Sequence, residues 1–524
     1  MATKLNPARD WHFPILIAIC GLMVVGGVIV AWQMPRLGEY DPANYVEVAR
    51  NILAGQGLTS NVVGNFYRRY KSVRHLEDRR PSAWSLVLAG SMALFGESEF
   101  AASLPNLLLG LWLAPVLVYL LAQQLRLSAA VSLAAAIVFV TWPYWLKESL
   151  DAGADVLFTN LLLLALLAIV RAGERKGAIL LAGAAVGLAY TVKPAGLLLV
   201  VPLVAYYWLD QAGLSARRRL LCLVGFAGVI LLFASPMLIR NCLVFGNPMY
   251  STNIYTAGHI RTDASGLALL HVYWGEPLPS VSGWLSQAGL RGFAAATITQ
   301  LGQALALLFG GIGLFFVLPC IIVILGIGHR HRVRNLWVFA GLFVLELVLV
   351  WVVLPRYLLV VLPVVTISAA AGGMTIARRI WAISRYAEVA VLSVVLLVAF
   401  VGVGGYGYWR LSRQSADSLR QAHIEMANWA KQQLPADSVI MTHYPYLVRF
   451  YSGRPVVQIP FDGADAIERV WQHYGVGTVV VPTTTPPVQW ACELPRRQLL
   501  DLAAACGWEP VYRNSGVVVF GPRR

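Results

Sequence analysis

Residues 38–84, GEYDPANYVEVARNILAGQGLTSNVVGNFYRRYKSVRHLEDRRPSAW, form the longest hydrophilic interruption in the first half of this chain, and an apolar run lies on either side. Its acidic, basic and aromatic side chains sit where a membrane protein places chemistry on an ionic substrate that arrives in the lipid. The surroundings support that setting. At 524 residues, 58% apolar and 13% charged, with a mean hydropathy of +0.65, the chain is too hydrophobic for a soluble globular protein and reads as a polytopic membrane protein. The formal charge of +15 is explained by the positive-inside rule before nucleic-acid binding, so no nucleic-acid partner is expected.

Working outward, runs of roughly 20 apolar residues place eleven spans, near 13–32, 99–122, 127–143, 154–170, 177–191, 194–209, 219–237, 300–326, 335–354, 357–376 and 387–409. The first carries no Ala-x-Ala-type cleavage site and is read as retained. Lys4 and Arg9 then share a side with the basic connections at Arg126, Arg171, Arg217 to Arg219, Arg330 to Arg334 and Arg378 to Arg385. This predicts a cytoplasmic N-terminus, an extracytoplasmic C-terminus and a multi-pass protein of the bacterial inner membrane. The apolar piece at 81–95 is too short for a span and is laid at the outer interface. Two domains follow: residues 1–411 as the membrane module with an outer loop at 33–98, and 412–524 as a small extracytoplasmic α/β domain with strand-like pieces SVIMTH, PVVQIP, GTVVVP and GVVVF. The six cysteines show no metal-binding spacing; Cys492 and Cys506 could pair if that domain is outside.

Within the opening stretch, Asp41-Pro42 followed by Tyr45, Val48, Ala49, Ile52 and Leu53 reads as an N-cap, a proline at the first helical position and one apolar face, ended by Gly55. Asp41 is either a cap or a carboxylate at a cavity mouth able to accept a hydroxyl proton. Arg68, Arg69, Lys71, Arg74, Arg79 and Arg80 break the positive-inside pattern; they are either a solvated loop or an anion site in which arginine grips phosphate. Further on, WPYWLKESLDAGADVLF predicts a helix from Lys147 that stacks Glu148, Asp151 and Asp155 on one face. Asp155 is the most telling of the three, because an ionisable group at the membrane boundary is expensive. Lys193, Arg240, Arg356 and Tyr357 lie at the outer ends of spans, as interfacial anchors or as the wall of one electropositive pocket.

These pieces resemble the polytopic GT-C glycosyltransferases of the protein O-mannosyltransferase and aminoarabinose-transferase type, which draw sugars from polyprenyl-phosphate carriers. The resemblance runs through YDPANYVEVARNILAGQG, RRPSAWSLVLAGSMALFGESEFAASLPNLLLG, SLDAGADVLFTNLLLLALLAI, GLAYTVKPAGLLLVVPL, SPMLIRNCLVFGNPMYS, PRYLLVVLPVV and YPYLVRFYSGRPVVQIP. It implies an inverting transfer from a polyprenyl-phosphate sugar to a hydroxyl of a glycan, lipid or protein acceptor at the outer face. Asp41 is placed as base and Asp155 as the second-loop acid, with Arg80, Glu39, Tyr45, Lys193, Arg240, Arg356 and Tyr357 around the substrates. The chain departs from that pattern where the acidic pair becomes Asp41-Pro42 with Glu39 two residues earlier, and where Pro-Pro becomes Pro81-Ser82. No cofactor is certain, and a divalent cation stays open, with Glu148, Asp151 and His75 as its candidates. The competing class is a lipid or glycolipid transporter or flippase, for which paired half-repeats or midplane charges are the expected signs.

Overall fold

The computed structural model describes residues 11–33, 37, 41–64, 70–175, 177–252, 281–306, 331–350, 353–380, 418–460, 464–483 and 493–522, with single positions between 392 and 407. Helix α1 (His12–Gln33) leads to α2 (Asp41–Leu53), then the short strands β1 (Thr59–Ser60), β2 (Val62–Val63) and β3 (His75–Leu76), and then α3 (Ala83–Phe95). Helices α4 (Glu99–Leu108) and α5 (Ala114–Gln124) form one continuous rod through a π-helical turn at Leu109–Leu113. Such a turn frees backbone carbonyls. Here they are taken by neighbours: Asn160 Nδ2 donates to the Leu109 carbonyl at 3.2 Å, and Trp145 Nε1 to that of Gly110 at 2.9 Å.

The chain continues through α6 (Ala129–Val140), α7 (Pro143–Ser149), α8 (Asp155–Arg171), α9 (Ala178–Val192), α10 (Val200–Asp210) and α11 (Ala216–Phe245). Beyond these lie α12 (Val281–Ala306), α13 (His331–Val350) and α14 (Leu362–Ile380). The glycines of α9 explain one close crossing. A Cβ at Gly183 or Gly187 would stand 2.7 Å from the carbonyl oxygen of Phe226 or Ile230 on α11, so only this small-xxx-small stripe lets the two backbones touch.

Among the described residues, three helices are long and apolar enough to cross a membrane: His12–Gln33, Glu99–Gln124 and Ala216–Phe245. A fourth is counted if α6 and α7, bent by 64°, form one span. Two of the expected spans instead begin with a 3-10 turn, at Pro194–Leu199 and Pro355–Val360. Most of the spans expected near 300–326 and 387–409 lies outside the described residues.

The expected helix through Lys147, Glu148, Asp151 and Asp155 is corrected. Helix α7 stops at Ser149 and α8 starts anew at Asp155, so the three acids share no helical face. The reason is side-chain capture of the intervening backbone. Asn106 Nδ2 donates to the carbonyls of Asp151 (2.6 Å), Gly153 (2.7 Å) and Glu148 (3.4 Å), and Trp84 Nε1 donates to that of Ala152 at 2.7 Å.

The C-terminal residues build a sheet with covering helices. Helix α15 (Ser418–Gln433) precedes β4 (Val439–Thr442), α16 (Pro445–Ser452), β5 (Val456–Gln458), α17 (Ala464–Tyr474), β6 (Val476–Pro482), α18 (Glu493–Ala505), β7 (Glu509–Arg513) and β8 (Val517–Gly521). All four strand-like pieces of the sequence are strands, and Glu509–Arg513 adds one that its mixed composition concealed. The strand order is β2-β5-β4-β6-β8-β7, parallel from β2 to β6 and antiparallel beyond. Strand β2 comes from the opening stretch and pairs Val62 with Val456 and Val63 with Val457. The opening stretch is therefore part of the C-terminal sheet. Ion pairs reinforce the join: Arg449 Nε meets both Glu47 oxygens at 3.0 Å, and Arg420 meets Glu99 at 3.0 Å. Cys506 is a free, exposed thiol, and Cys492 lies outside the described residues.

Candidate active site

Helix α2 starts at Asp41, as the Asp-Pro signal predicts, but the carboxylate does not act as a cap. Its Oδ1 accepts from Arg80 Nη2, and its Oδ2 from Arg356 Nη1 at 2.5 Å. Arg80 is almost wholly buried, whereas Asp41 and Arg356 keep 23% and 27% of their side chains open. Burial pushes the Asp41 carboxyl up, but Arg356 and Arg80, helped by Arg79 and Lys193, outweigh it and hold the group well below the usual carboxylate range.

A second pair stands beside the first. Lys193 Nζ donates to Asp155 Oδ1 at 2.5 Å, both partners being buried. Tyr357 links the two groups, with Lys193 Nζ 5.1 Å and Arg356 Cζ 5.3 Å from its ring centroid; Arg80 lies 5.3 Å from the Tyr45 ring. Proline supplies the geometry. Lys193 precedes Pro194 and is extended (φ −147°, ψ 138°), as a residue before proline prefers. Pro355 similarly opens the 3-10 turn that presents Arg356 and Tyr357. Two X-Pro turns from separate parts of the chain thus bring cations to one mouth. The second loop closes on the mouth at Gly153, whose Cβ position lies in ordinary contact with Glu148 Oε2 (3.4 Å), Asp155 Oδ2 (3.9 Å) and the Pro42 ring (3.9 Å).

Of the residues expected from the sequence, Asp41, Tyr45, Arg80, Asp155, Lys193, Arg356 and Tyr357 converge. Arg240 does not join them; its Nη2 donates to the Glu77 carbonyl at 2.6 Å and its Nη1 to Asn241 Oδ1 at 3.3 Å, fastening the loop that carries Arg80. Glu39, Arg68 and Arg69 lie outside the described residues. The cation candidates are dispersed. Glu148 pairs with Lys147 at 2.9 Å, Asp151 Oδ1 accepts from its neighbour's amide, and His75 stacks on Tyr70 with Nδ1 at the Val73 carbonyl. Among the described residues, no three His, Cys, Asp or Glu side chains gather as a metal site.

The supporting groups escaped sequence reasoning. Glu77 Oε1 accepts from the amides of Arg79 and Arg80, both at 2.9 Å, and so shapes the backbone that aims Arg80. Asn44, one turn after Asp41, faces the same guanidinium. The helical spacing from Asp41 to Asn44 was its only signal, and Glu77 was visible only beside His75 and Asp78 as a cation candidate, not as the acceptor of the Arg79 and Arg80 amides.

Comparisons with known proteins bear on the fold. Residues 79–239 match the family model for dolichyl-phosphate-mannose-protein mannosyltransferases. In structure the chain is similar to ArnT from Cupriavidus metallidurans bound to undecaprenyl phosphate, with a TM-score of 0.63 at 15% identity over 97% of this chain and 99% of that one. The apo state of the same protein gives 0.62 at 17% identity over 99% and 100%. The oligosaccharyltransferase of Archaeoglobus fulgidus, in complex with zinc and sulfate, gives 0.58 at 14% identity over 89% and 67%. A search of curated proteins finds no match. The fold is the GT-C membrane fold, and the resemblance to polyprenyl-phosphate-sugar glycosyltransferases read from the sequence is borne out.

Proposed function

We propose that the protein is an inner-membrane glycosyltransferase that moves a sugar from a polyprenyl-phosphate carrier to an acceptor hydroxyl at the outer face, inverting the anomeric carbon. The observation that carries this reading is the Asp41 carboxylate held between Arg80 and Arg356 beside the Asp155–Lys193 pair. A base and an anion site share one mouth, as a displacement that releases a phosphate requires.

The acceptor oxygen attacks the anomeric carbon from the face opposite the phosphate. The bond from that carbon to the phosphate oxygen breaks, and its electron pair leaves on the lipid phosphate. Asp41 takes the acceptor proton. Arg80 and Arg356 hold the departing phosphate in forked hydrogen bonds as its charge grows. Asp155 fixes Lys193 and the Tyr357 ring at the acceptor side. In the ligand-free state the two arginines make Asp41 a weak base; a donor phosphate competes for the same guanidiniums and returns basicity to the carboxylate. Donor binding therefore prepares the base. Eleven crossings, a cytoplasmic N-terminus and an extracytoplasmic 412–524 domain complete the reading, supported by the charge asymmetry of the loops.

The test is transfer by membranes containing the full chain, supplied with radiolabelled polyprenyl-phosphate sugars and endogenous acceptors. Wild type should label an acceptor, and Asp41→Asn should lose about 100- to 10,000-fold in rate, the range of general-base help. Labelled donor that crosses the bilayer without transfer would point to a flippase. Full transfer by Asp41→Asn would remove the base from Asp41.

A further inference from the structure

Asn44 lies between the membrane module and the C-terminal sheet. In the orientation that satisfies its neighbours, its carboxamide oxygen accepts from Arg80 Nη1 and from the Tyr446 hydroxyl, both at 3.0 Å, while its nitrogen donates to Glu77 Oε2 at 3.3 Å. Tyr446 belongs to α16 and is buried. Gly64 leaves room for its hydroxyl: a Cβ there would approach that oxygen to 3.3 Å and Gln458 Oε1 to 3.6 Å. Gly64 directly follows β2, whose pairing with β5 puts Gln458 beside it, and Tyr446 reaches the same place from α16.

We propose that Tyr446 is a positioning residue: its hydroxyl orients the Asn44 carboxamide, which in turn holds the Arg80 guanidinium against Asp41, so that the C-terminal domain sets the geometry of the anion site. The chain of contacts is continuous, Tyr446 Oη to Asn44 Oδ1 to Arg80 Nη1, with Arg80 Nη2 on Asp41. Burial pushes the Tyr446 phenol up against the lowering pull of Arg79 and Arg80, so the hydroxyl keeps its proton and remains a donor at neutral pH. Without that donor, the Asn44 carboxamide keeps Arg80 on its oxygen and Glu77 on its nitrogen but loses its tie to the C-terminal domain, and the Arg80 guanidinium is held less tightly against Asp41. Three of the four supporting contacts come from buried side chains, where a lost partner is costly and geometry is well defined.

The inference rests on the proposed transfer only for its catalytic readout, and two measurements on the full-length protein in detergent separate the ideas. The first needs no substrate. Labelling of Arg80 by an arginine-selective dicarbonyl, followed by mass spectrometry with exposed Arg74 as reference, should rise several-fold in Tyr446→Phe. Gly64→Ala, which crowds the same hydroxyl, should act likewise, as should Asn44→Ala. The second is binding of undecaprenyl phosphate and, where transfer is found, the donor KM. Tyr446→Phe should weaken donor binding about three- to ten-fold, the worth of one hydrogen bond, and leave the acceptor KM unchanged; combined with Asn44→Ala it should add little. Equal Arg80 labelling in wild type and Tyr446→Phe overturns the relay whatever the ligand. Raised labelling in a protein that binds no polyprenyl phosphate keeps the relay and removes the proposed function. A merely structural tyrosine would lower the melting temperature and disturb donor and acceptor alike, which also overturns it.

Discussion

Two acidic residues at one mouth are neutralised in different ways. Asp41 meets two arginines from distant parts of the chain and keeps about a quarter of its side chain, 23%, open. Asp155 meets a single lysine, and both partners are buried. A partly open carboxylate shared between two guanidiniums can exchange partners with an arriving phosphate, because the partly open Arg356 can turn while Arg80 stays on the carboxylate. A closed pair cannot, since separating it leaves an uncompensated ion in low dielectric. The difference supports the proposed division, with Asp41 in the chemistry and the Asp155–Lys193 pair as its frame, although both are acids at a membrane boundary.

The sharpest way to break the comparison is to compare Asp41→Asn with Asp155→Asn. The first should abolish most transfer, by about 100- to 10,000-fold, and lower the thermal midpoint only as far as protonation of the same carboxylate does. The second should lower that midpoint through the orphaned Lys193. If Asp155→Asn proves the more damaging to turnover at full stability, the two roles are exchanged. Next in size is Arg80→Ala, expected to cost about 100- to 1,000-fold in turnover, the usual loss on removing a preformed charge stabiliser, with a raised donor KM. Lys193→Met should then destabilise the fold by about 3–5 kcal/mol, as breaking a buried pair from one side does. Restoring apolar balance with Asp155→Leu in the same chain should recover much of it. A double variant as unstable as the sum of its singles would show that the pair is not coupled.

Much of this arrangement was legible in the sequence, and the reason is local. Asp-Pro starts a helix wherever it falls, and Lys193-Pro194 and Pro355-Arg356 fix extended and tight-turn backbone through proline alone. The residues that converge at the mouth were therefore found at the ends of elements. What could not be read was the long-range closure. Strand β2 is two residues long, and its pairing with Val456 and Val457 spans almost four hundred positions, with no period for a pattern to reveal. Tyr446 and Arg449 were visible only as part of an aromatic-basic run, and their targets Asn44 and Glu47 only as polar faces of an amphipathic helix. The broken helix at Asp151 failed for the opposite reason. Its local sequence suits a helix, but Asn106 and Trp84 claim the carbonyls from another element, a tertiary override of local preference.

The smallest effect tests the exchange of partners most directly, through pH. The folded Asp41 carboxyl lies below its ordinary value of 3.8. Its ion pairs therefore contribute stability that is fully present above about pH 4 and is lost only as pH falls further, toward the depressed folded value. Replacing Arg356 with Gln removes one lowering charge and leaves burial in place, so the folded value rises and protonation begins at higher pH. Two consequences follow for ligand-free and donor-saturated protein. The melting temperatures of Arg356→Gln and wild type should begin to fall with acidification near the same pH, set by the unfolded carboxyl, but the loss traceable to Asp41 should be smaller in Arg356→Gln and level off at a higher pH, because its folded value lies closer to the unfolded one. In single-turnover transfer with saturating donor, where the phosphate already occupies the guanidiniums, the acid limbs of the two proteins should lie closer together than the ligand-free melting curves do. Acid limbs separated as widely with donor as without it would mean that the phosphate does not compete for Arg356, and that Asp41 keeps both arginines throughout the reaction.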